Sequence, residues 1–473
     1  MSFKTVPYAH QLQAFEQSKD REYYGYFMEM GTGKSKVAID NFCYLYQQKK
    51  IDAVFIIANN GSYRNWSETQ IPTHMWEEVK ADHFIGVWKE PSGSVIGDPA
   101  LDPEKKFLKI FVMNVEALAF DKGFAAAIQF VKGRKVMFIV DESTTVKNLT
   151  AKRTKSVINI ASRCAYRRIM TGDPITNSPL DLYAQCQVLK AGCLGFSSFY
   201  PFRNYFAVMF QQKAGQRAFM KVTGYQNLDK LASILKGFSY RVKKEDCLDL
   251  PPKVYQKHYV EMTDEQQMVY NNIREDAIAE LNGSIATAPL VITKMIKLHQ
   301  IVCGHFVDDE GKVQPLKSNR VKALMDVVEE SNGKVIIWAN YRNDIQAIAT
   351  ALAAEYGFDS VATYYGETSD DDRVVASREF QNGALRFLVS NQQTGAFGNT
   401  WTAASTVIYY SNNYQLELRR QSEDRCHRIG LTHSVNYVDL ICKGTVDEKI
   451  VKALRSYSQI ASATLGETWK EWI

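Results

Sequence analysis

Met28-Glu29-Met30-Gly31-Thr32-Gly33-Lys34-Ser35 is the stretch on which the fold turns. It follows an aromatic, strand-like run from Tyr24 to Met28 and precedes a helical pattern. Strand, glycine turn and helix N-terminus in that order make a phosphate cradle, because backbone N–H groups and the positive end of the helix dipole converge on one anion. Gly31 and Gly33 let the backbone close around phosphates, Lys34 supplies a point charge, and the Ser35 hydroxyl suits Mg²⁺. The loop is shorter than the full GxxxxGK[ST] pattern, since Met28 stands where the first glycine is usual. By itself the stretch also fits a plain strand-to-helix turn with an exposed lysine. Its neighbours along the chain decide between the two.

Val136 to Val140 is a second strand-like run, and it ends in Asp141-Glu142-Ser143-Thr144. Carboxylates at the end of a buried parallel strand sit at the sheet's carboxyl edge, where such sheets bind their ligands. There Asp141 would hold Mg²⁺ and Glu142 would orient and deprotonate an attacking water. Further short runs alternate with helical patterns: Ala53 to Ala58, Ile110 to Asn114 and Arg168 to Met170, then Val335 to Ala339, Val361 to Tyr364, Arg386 to Ser390, Val407 to Tyr410 and Asn436 to Leu440. The pattern predicts an α/β protein with two sheet-containing, RecA-like lobes of mainly parallel strands. We expect an N-terminal lobe over 1–242 with a helical insertion at about 180–240, and a C-terminal lobe over 243–473 with one at about 263–305. Leu250-Pro251-Pro252 is a rigid extended break near the junction. Thr263-Asp-Glu-Gln266 and Lys443-Gly-Thr445-Val-Asp-Glu448 have capping-box spacing, and Val446, Ile450 and Leu454 form one stripe that docks a helix.

Gln421-Ser-Glu-Asp424-Arg425-Cys-His427-Arg428-Ile-Gly430 places two arginines three residues apart, on one face of a helix, where they could reach the same phosphates across a cleft. Taken with Tyr8-Ala-His-Gln11, Asp141 to Asn148 and Thr171-Gly-Asp-Pro-Ile-Thr-Asn177, these segments stand in the order of the superfamily-two helicase motifs. In detail the chain resembles the Swi/Snf-type ATPases. Leu250-Pro-Pro-Lys253, Lys297 to His305 and Lys443 to Ile450 extend the resemblance over about residues 7 to 455.

That resemblance implies an ATP-hydrolysing motor with ATP and Mg²⁺ as cofactors and duplex DNA as its track. It assigns Gln11 to the adenine edge, Gly31, Thr32, Gly33, Lys34 and Ser35 to the triphosphate, and Ser35 and Asp141 to the metal. Lys34, Asp141, Glu142, Arg425 and Arg428 become the catalytic set. Gln421 and Gly398 join the nucleotide site, Gly395 and Gly398 match the glycine-rich motif of the second lobe, and Thr171 couples hydrolysis to lobe movement. The chain also departs from the family. Its acidic box continues Ser-Thr, so the usual histidine link to the third motif is missing; Trp401 replaces an aliphatic residue, Thr400 an asparagine and Leu431 a glutamine. It looks like a compact phage- or bacterial-type member with no appended chromatin reader, so nucleosome remodelling is not expected.

Between Ser143 and Gly172 there is no acidic residue, yet Lys147, Lys152, Arg153, Lys155, Arg163, Arg167 and Arg168 occur. Such a window suits contacts to a phosphate backbone, and Lys152, Arg153 and Lys155 are its chief candidates; a solvated basic face is the plainer reading. Arg64, in Asn59 to Trp66, and Thr402, in Gln393 to Thr402, correspond to strand-gripping motifs of the family, while Trp66 fits a core as well as a contact. No base-reading element is evident, so binding independent of sequence is expected. His299, Cys303 and His305 fit no common zinc spacing. The eight cysteines form no CxxC pair, no apolar run spans a bilayer and the N-terminus has no secretory stretch, which predicts an intracellular, soluble chain with reduced thiols. A net charge of +5 over 473 residues identifies no partner by itself. A monomer is expected, with protein partners open. Three activities remain: duplex translocation, strand separation or branch remodelling, and nucleotide-gated binding without turnover.

Overall fold

The computed structural model describes residues 3–454, apart from 61, 90–93, 97–106, 177, 215–216, 284–287, 309, 397–399 and 429–430. The chain divides into two compact units. The first holds Met1–Met209 and Val222–Asp249; the second holds Phe210–Lys221 and continues from Leu250.

The strands as far as the junction are β1 (Tyr23–Met28), β2 (Ala53–Ala58), β3 (His83–Lys89), β4 (Ser94–Ile96), β5 (Leu108–Asn114), β6 (Val136–Asp141), β7 (Tyr166–Met170), the hairpin pair β8 (Ala207–Ala214) and β9 (Arg217–Tyr225), and β10 (Ser239–Val242). Eight of them form the sheet of the first unit in the order β10-β1-β7-β6-β2-β5-β3-β4, parallel except for the β3–β4 pair. Every residue of β2 is buried, as is expected where helices cover both faces of a parallel sheet. One face packs Phe55, Phe111, Phe130 and Phe138 together, the other Tyr26, Phe42, Ile56 and Trp76.

The second unit contributes β11 (Lys253–Val260), β12 (His305–Val307), β13 (Val313–Pro315), β14 (Lys334–Trp338), β15 (Val361–Tyr364), β16 (Phe387–Ser390), β17 (Ala404–Tyr409) and β18 (Val435–Cys442). Its main sheet runs β11-β18-β17-β14-β16-β15, all parallel. Two mainly parallel sheets clad in helices agree with the two sheet-containing lobes expected from the alternating pattern.

The insertion expected to be helical is mixed. Helices Asp181–Leu189, Phe199–Phe206 and Leu228–Lys236 flank the β8–β9 hairpin, which occupies its middle. The reason is local: Val208 and Phe210 alternate with other residues, and Phe219, Val222 and Thr223 favour extended backbone.

Candidate functional site

Three adjacent parallel strands, β1, β7 and β6, deliver three loops to one carboxyl edge of the first sheet. β1 leads into Glu29 to Gly33, where Gly31 (φ 81°) and Gly33 (φ 91°) take left-handed conformations that side chains rarely adopt. Helix Lys34–Gln47 begins immediately after, so its free N–H groups open onto the turn. Gln11 closes over that turn. Its Nε2 donates to the Thr32 carbonyl (3.0 Å), its Oε1 accepts from the Tyr8 N–H (3.1 Å), and a Cβ on Gly33 would lie 2.2 Å from Nε2. His10 Nε2 also bonds the Thr32 carbonyl, at 2.8 Å. Lys34 is folded back on the loop, with Nζ donating to the Met28 carbonyl at 2.9 Å. Gly172, on the β7 loop, faces Met30 so closely that a Cβ would meet the Met30 nitrogen at 3.1 Å.

At the end of β6, Asp141 accepts from the indole Nε1 of Trp66 (2.9 Å) and from the Glu142 N–H (3.1 Å). Burial raises the Asp141 pKa above the ordinary carboxylate value, and the Trp66 bond and the Lys34 charge pull against it. Trp66 is thereby placed: it is buried, and its polar edge holds an acidic-box carboxylate. Glu142 adopts φ 49°, a strained backbone for a non-glycine residue, and its side chain meets the β7 loop. Thr171 Oγ1 donates to Glu142 Oε2 at 3.0 Å and accepts from the Asp173 N–H. The third motif therefore reaches the acidic box directly, through a threonine, although the histidine is absent. Ser143, which stands near the missing histidine, donates to Gln185 (2.7 Å), and Gln185 Nε2 donates to the Pro174 carbonyl. Lys147 is tied to Thr176, and Thr176 to Asp181.

Ser35 and Asp141 offer a hydroxyl and a carboxylate, the hard oxygen donors that Mg²⁺ takes. No group of three or more His, Cys, Asp or Glu residues fit to hold a metal occurs among the described residues.

In the second unit the arginine motif begins in the last turn of helix Leu416–Glu423, and Arg425 and Arg428 stand in the turn beyond its end, not on one face of a helix as expected. Arg425 is buried, and its Nε donates to the Gln421 carbonyl (3.0 Å). Arg428 Nη1 donates to Thr400 Oγ1 (2.7 Å), one of the positions where the sequence departs from the family. Burial lowers the Arg428 pKa, against the pull of Asp424. Gln421 donates to Glu417 (3.2 Å), while its buried Oε1 has no hydrogen-bond partner among the described residues. The Pro-Pro-Lys segment and the arginine motif grip each other: His427 Nε2 bonds the Pro251 carbonyl (2.8 Å), and Lys253 Nζ meets Glu423 (3.0 Å). Sequence reading passes over Arg419 and gives Glu423, inside the arginine motif, no role. Arg419 bonds Glu423, Asp439 and Asn412 and lies 3.4 Å over the Tyr409 ring. Its only linear signal is the i, i+4 spacing to Glu423.

The nucleic-acid candidates are scattered in kind. Lys152, Lys155 and Arg64 are exposed and Arg153 is half-buried. Lys152 pairs with Asp121 (2.8 Å), an acid from an earlier helix that the acid-free window hides. Thr402 is half-buried and accepts from Gln381 (3.0 Å). Arg168 does not belong to a backbone-gripping window. It is fully buried, and its guanidinium donates to Asn41 and to the carbonyls of Ser18, Arg21, Glu22 and Arg167. Gly398 lies outside the described residues; Gly395 packs under Trp338, where a Cβ would come within 2.8 Å of the ring. Trp401 is core, set against Trp338 and Tyr364 with its Nε1 donating to Ser377.

Residues 26–306 match the SNF2-related domain and residues 319–430 the helicase conserved C-terminal domain. Similar proteins include an uncharacterized ATP-dependent helicase of Mycoplasma genitalium, 24% identical over 93% of this chain and 40% of that protein. Another is the DNA annealing helicase and endonuclease of Mus musculus, 26% identical over 69% of this chain and 30% of that protein. The chain thus spans less than half the length of these relatives. A solved SWI2/SNF2 ATPase core of Sulfolobus solfataricus in complex with dsDNA aligns over 98% of this chain and 95% of its own, at 22% identity and a TM-score of 0.43.

Proposed function

The chain belongs to the SNF2-related family, and from that membership we propose that it is an ATP-hydrolysing motor that tracks along double-stranded DNA. The observation that carries the reading is the meeting of the glycine loop, Asp141-Glu142 and Thr171 at one sheet edge, with Thr171 bonded to Glu142. In this reading the triphosphate lies on the N-terminus of helix Lys34–Gln47, and Lys34 exchanges the Met28 carbonyl for phosphate oxygens. Ser35 and Asp141 would hold Mg²⁺, which when bound neutralises charge on the phosphates. Glu142 takes a proton from water as the water oxygen attacks the terminal phosphorus and the bond to the departing diphosphate breaks. Gln11, whose amide braces the loop through the Thr32 carbonyl, would read the adenine edge with its remaining amide N–H. Arg425, Arg428 and Gln421 are the second unit's contribution to turnover. Lys152, Arg153, Lys155, Arg64 and Thr402 are the candidate backbone contacts.

ATPase rates with blunt duplex, single-stranded and branched DNA and with RNA, at one salt concentration, test the proposal. Duplex should stimulate most. Stimulation by RNA alone, or by no nucleic acid, overturns it; a maximum with branched DNA points to strand separation or remodelling instead.

A further inference from the structure

The insertion that follows the third motif carries a charge pattern that the ATP site does not explain. From Leu182 through Leu228 the sequence contains no Asp or Glu, while Lys190, Arg203, Lys213, Arg217 and Lys221 are present. This segment leads into and out of the β8–β9 hairpin. The root of the hairpin is built rigidly: Phe202 and Phe206 are fully buried, their rings 4.9 Å apart, and Phe196 packs on both. Gln226 N–H donates to the Phe206 carbonyl, and the side chains of Gln226 and Asn227 both donate to the Tyr205 carbonyl.

Beyond that root the apolar residues are left in water. Phe210 is 66% exposed, Met220 52% and Val208 44%, and on the adjoining helix Tyr200 is 65% exposed with the Arg203 guanidinium 5.1 Å over its ring. A residue such as Phe210 in the core would be worth about 2 kcal/mol, so solvating it on a well-anchored hairpin gives up stability without any structural return. Exposed aromatic rings set in a purely cationic segment are what stacking sites for unpaired bases are made of: the ring takes a base, and the cations take the backbone on either side. A regular duplex offers its bases only edge-on in the grooves, so a ring on a hairpin finds base faces only where strands part. A protein partner would be served by the apolar side chains but gives no account of a segment of 47 residues without one acid.

We infer that the β8–β9 hairpin, through Phe210 on one strand and Lys221 on the other, binds unpaired nucleotides at a fork or single-strand junction. The inference rests on the reading of the chain as a DNA motor and gives that motor a means of sensing or holding open strands. It is tested with the full chain, a blunt duplex, and the same duplex ending in an unpaired fork that carries 2-aminopurine at its first unpaired position. Phe210→Ala should weaken fork binding about tenfold, within the range set by removing one base stack, and should leave blunt-duplex binding and blunt-duplex-stimulated ATPase within about twofold. Wild type should quench the 2-aminopurine; Phe210→Ala should leave it bright, and Phe210→Trp should restore both quenching and affinity. Lys221→Ala should weaken fork binding and lower its salt dependence. Equal fork binding by wild type and Phe210→Ala overturns the inference, as does an equal loss on fork and blunt duplex. Should fork binding depend on Phe210 while no DNA stimulates hydrolysis, the motor reading fails and the hairpin site stands.

Discussion

Glu142 shows how much of the site's chemistry rests on single side chains. Its backbone is held at φ 49° and its carboxylate is fixed by the Thr171 hydroxyl, so in the proposed hydrolysis the group that would accept the proton is positioned before any ligand arrives. Glu142→Gln should therefore abolish hydrolysis while leaving equilibrium nucleotide binding intact, whereas Lys34→Ala should impair both, because in the proposed complex Lys34 leaves the Met28 carbonyl for the phosphates. Nucleotide binding by fluorescence titration beside a turnover assay separates the two; hydrolysis at the wild-type rate by Glu142→Gln would sink the acidic-box assignment. Thr171→Val, which keeps the shape and removes the hydroxyl, should lower turnover about tenfold to a hundredfold at unchanged nucleotide affinity. Arg168 is a residue whose burial the sequence conceals. In a basic window it looks like its neighbours, yet it satisfies four backbone carbonyls and Asn41 inside the fold. Arg168→Leu should cost about 3 kcal/mol or more through carbonyls left without donors. The loss is read by denaturant unfolding, and an unchanged midpoint would contradict the assignment.

Elements are legible in the sequence in proportion to their burial. The central strands Ala53–Ala58 and Lys334–Trp338 stand within a residue of where their apolar runs put them. β3, β10 and β11 escape such a reading, and each lies at or next to a sheet edge, where polar residues share the strand: Lys253–Val260 alternates half-buried with exposed positions along most of its length. The glycine loop and acidic box can be read because their residues are contiguous. The Trp66–Asp141 and Arg419–Asp439 pairings cannot, since each joins residues far apart in the chain. The same limit affects the helix Lys152–Ala161. Along the chain it is acid-free, but Asp121 reaches Lys152 from another helix, an exposed pair worth little against a DNA phosphate. Replacing Lys152, Arg153 and Lys155 together with alanine should reduce the magnitude of the log–log salt slope of duplex binding by about one for each phosphate no longer neutralised, without altering sequence preference. An unchanged slope would make this helix a solvated face and shift the search for the track to Arg64 and Thr402.

Across the whole molecule the two units hold buried charges of opposite tendency, and acid should tell them apart. In the first unit Asp40 is buried against Lys36 and Trp76, and burial raises its pKa, as it does for Asp141. A carboxyl whose folded pKa is raised favours the folded state more as pH falls through that pKa, so these groups do not drive acid unfolding. The second unit has the reverse. Burial works against ionising Glu423 and Asp447, but Lys253 and Arg419 hold Glu423 at about 2, and Arg320 and His299 hold Asp447 at about 2. Their stabilisation is fully present above the unfolded carboxylate values near 4.5 and 3.8 and is lost as pH falls toward 2. Arg320, itself fully buried, would then face a neutral acid at 2.7 Å, and Arg419 would lose its charge partner in Glu423. Hydrogen exchange followed peptide by peptide from pH 5 to pH 2, after correction for the intrinsic rate, should show protection failing first in Lys253–Val260, Leu416–Glu423 and Val435–Cys442. Ala53–Ala58 and Val136–Asp141 should outlast them. Asp447→Asn should bring the failure of the second unit to neutral pH by leaving Arg320 without a counter-charge, at a cost of about 3–5 kcal/mol. Loss of protection in the first unit ahead of the second would show that the ion pairs around Arg320 and Arg419 do not govern its stability.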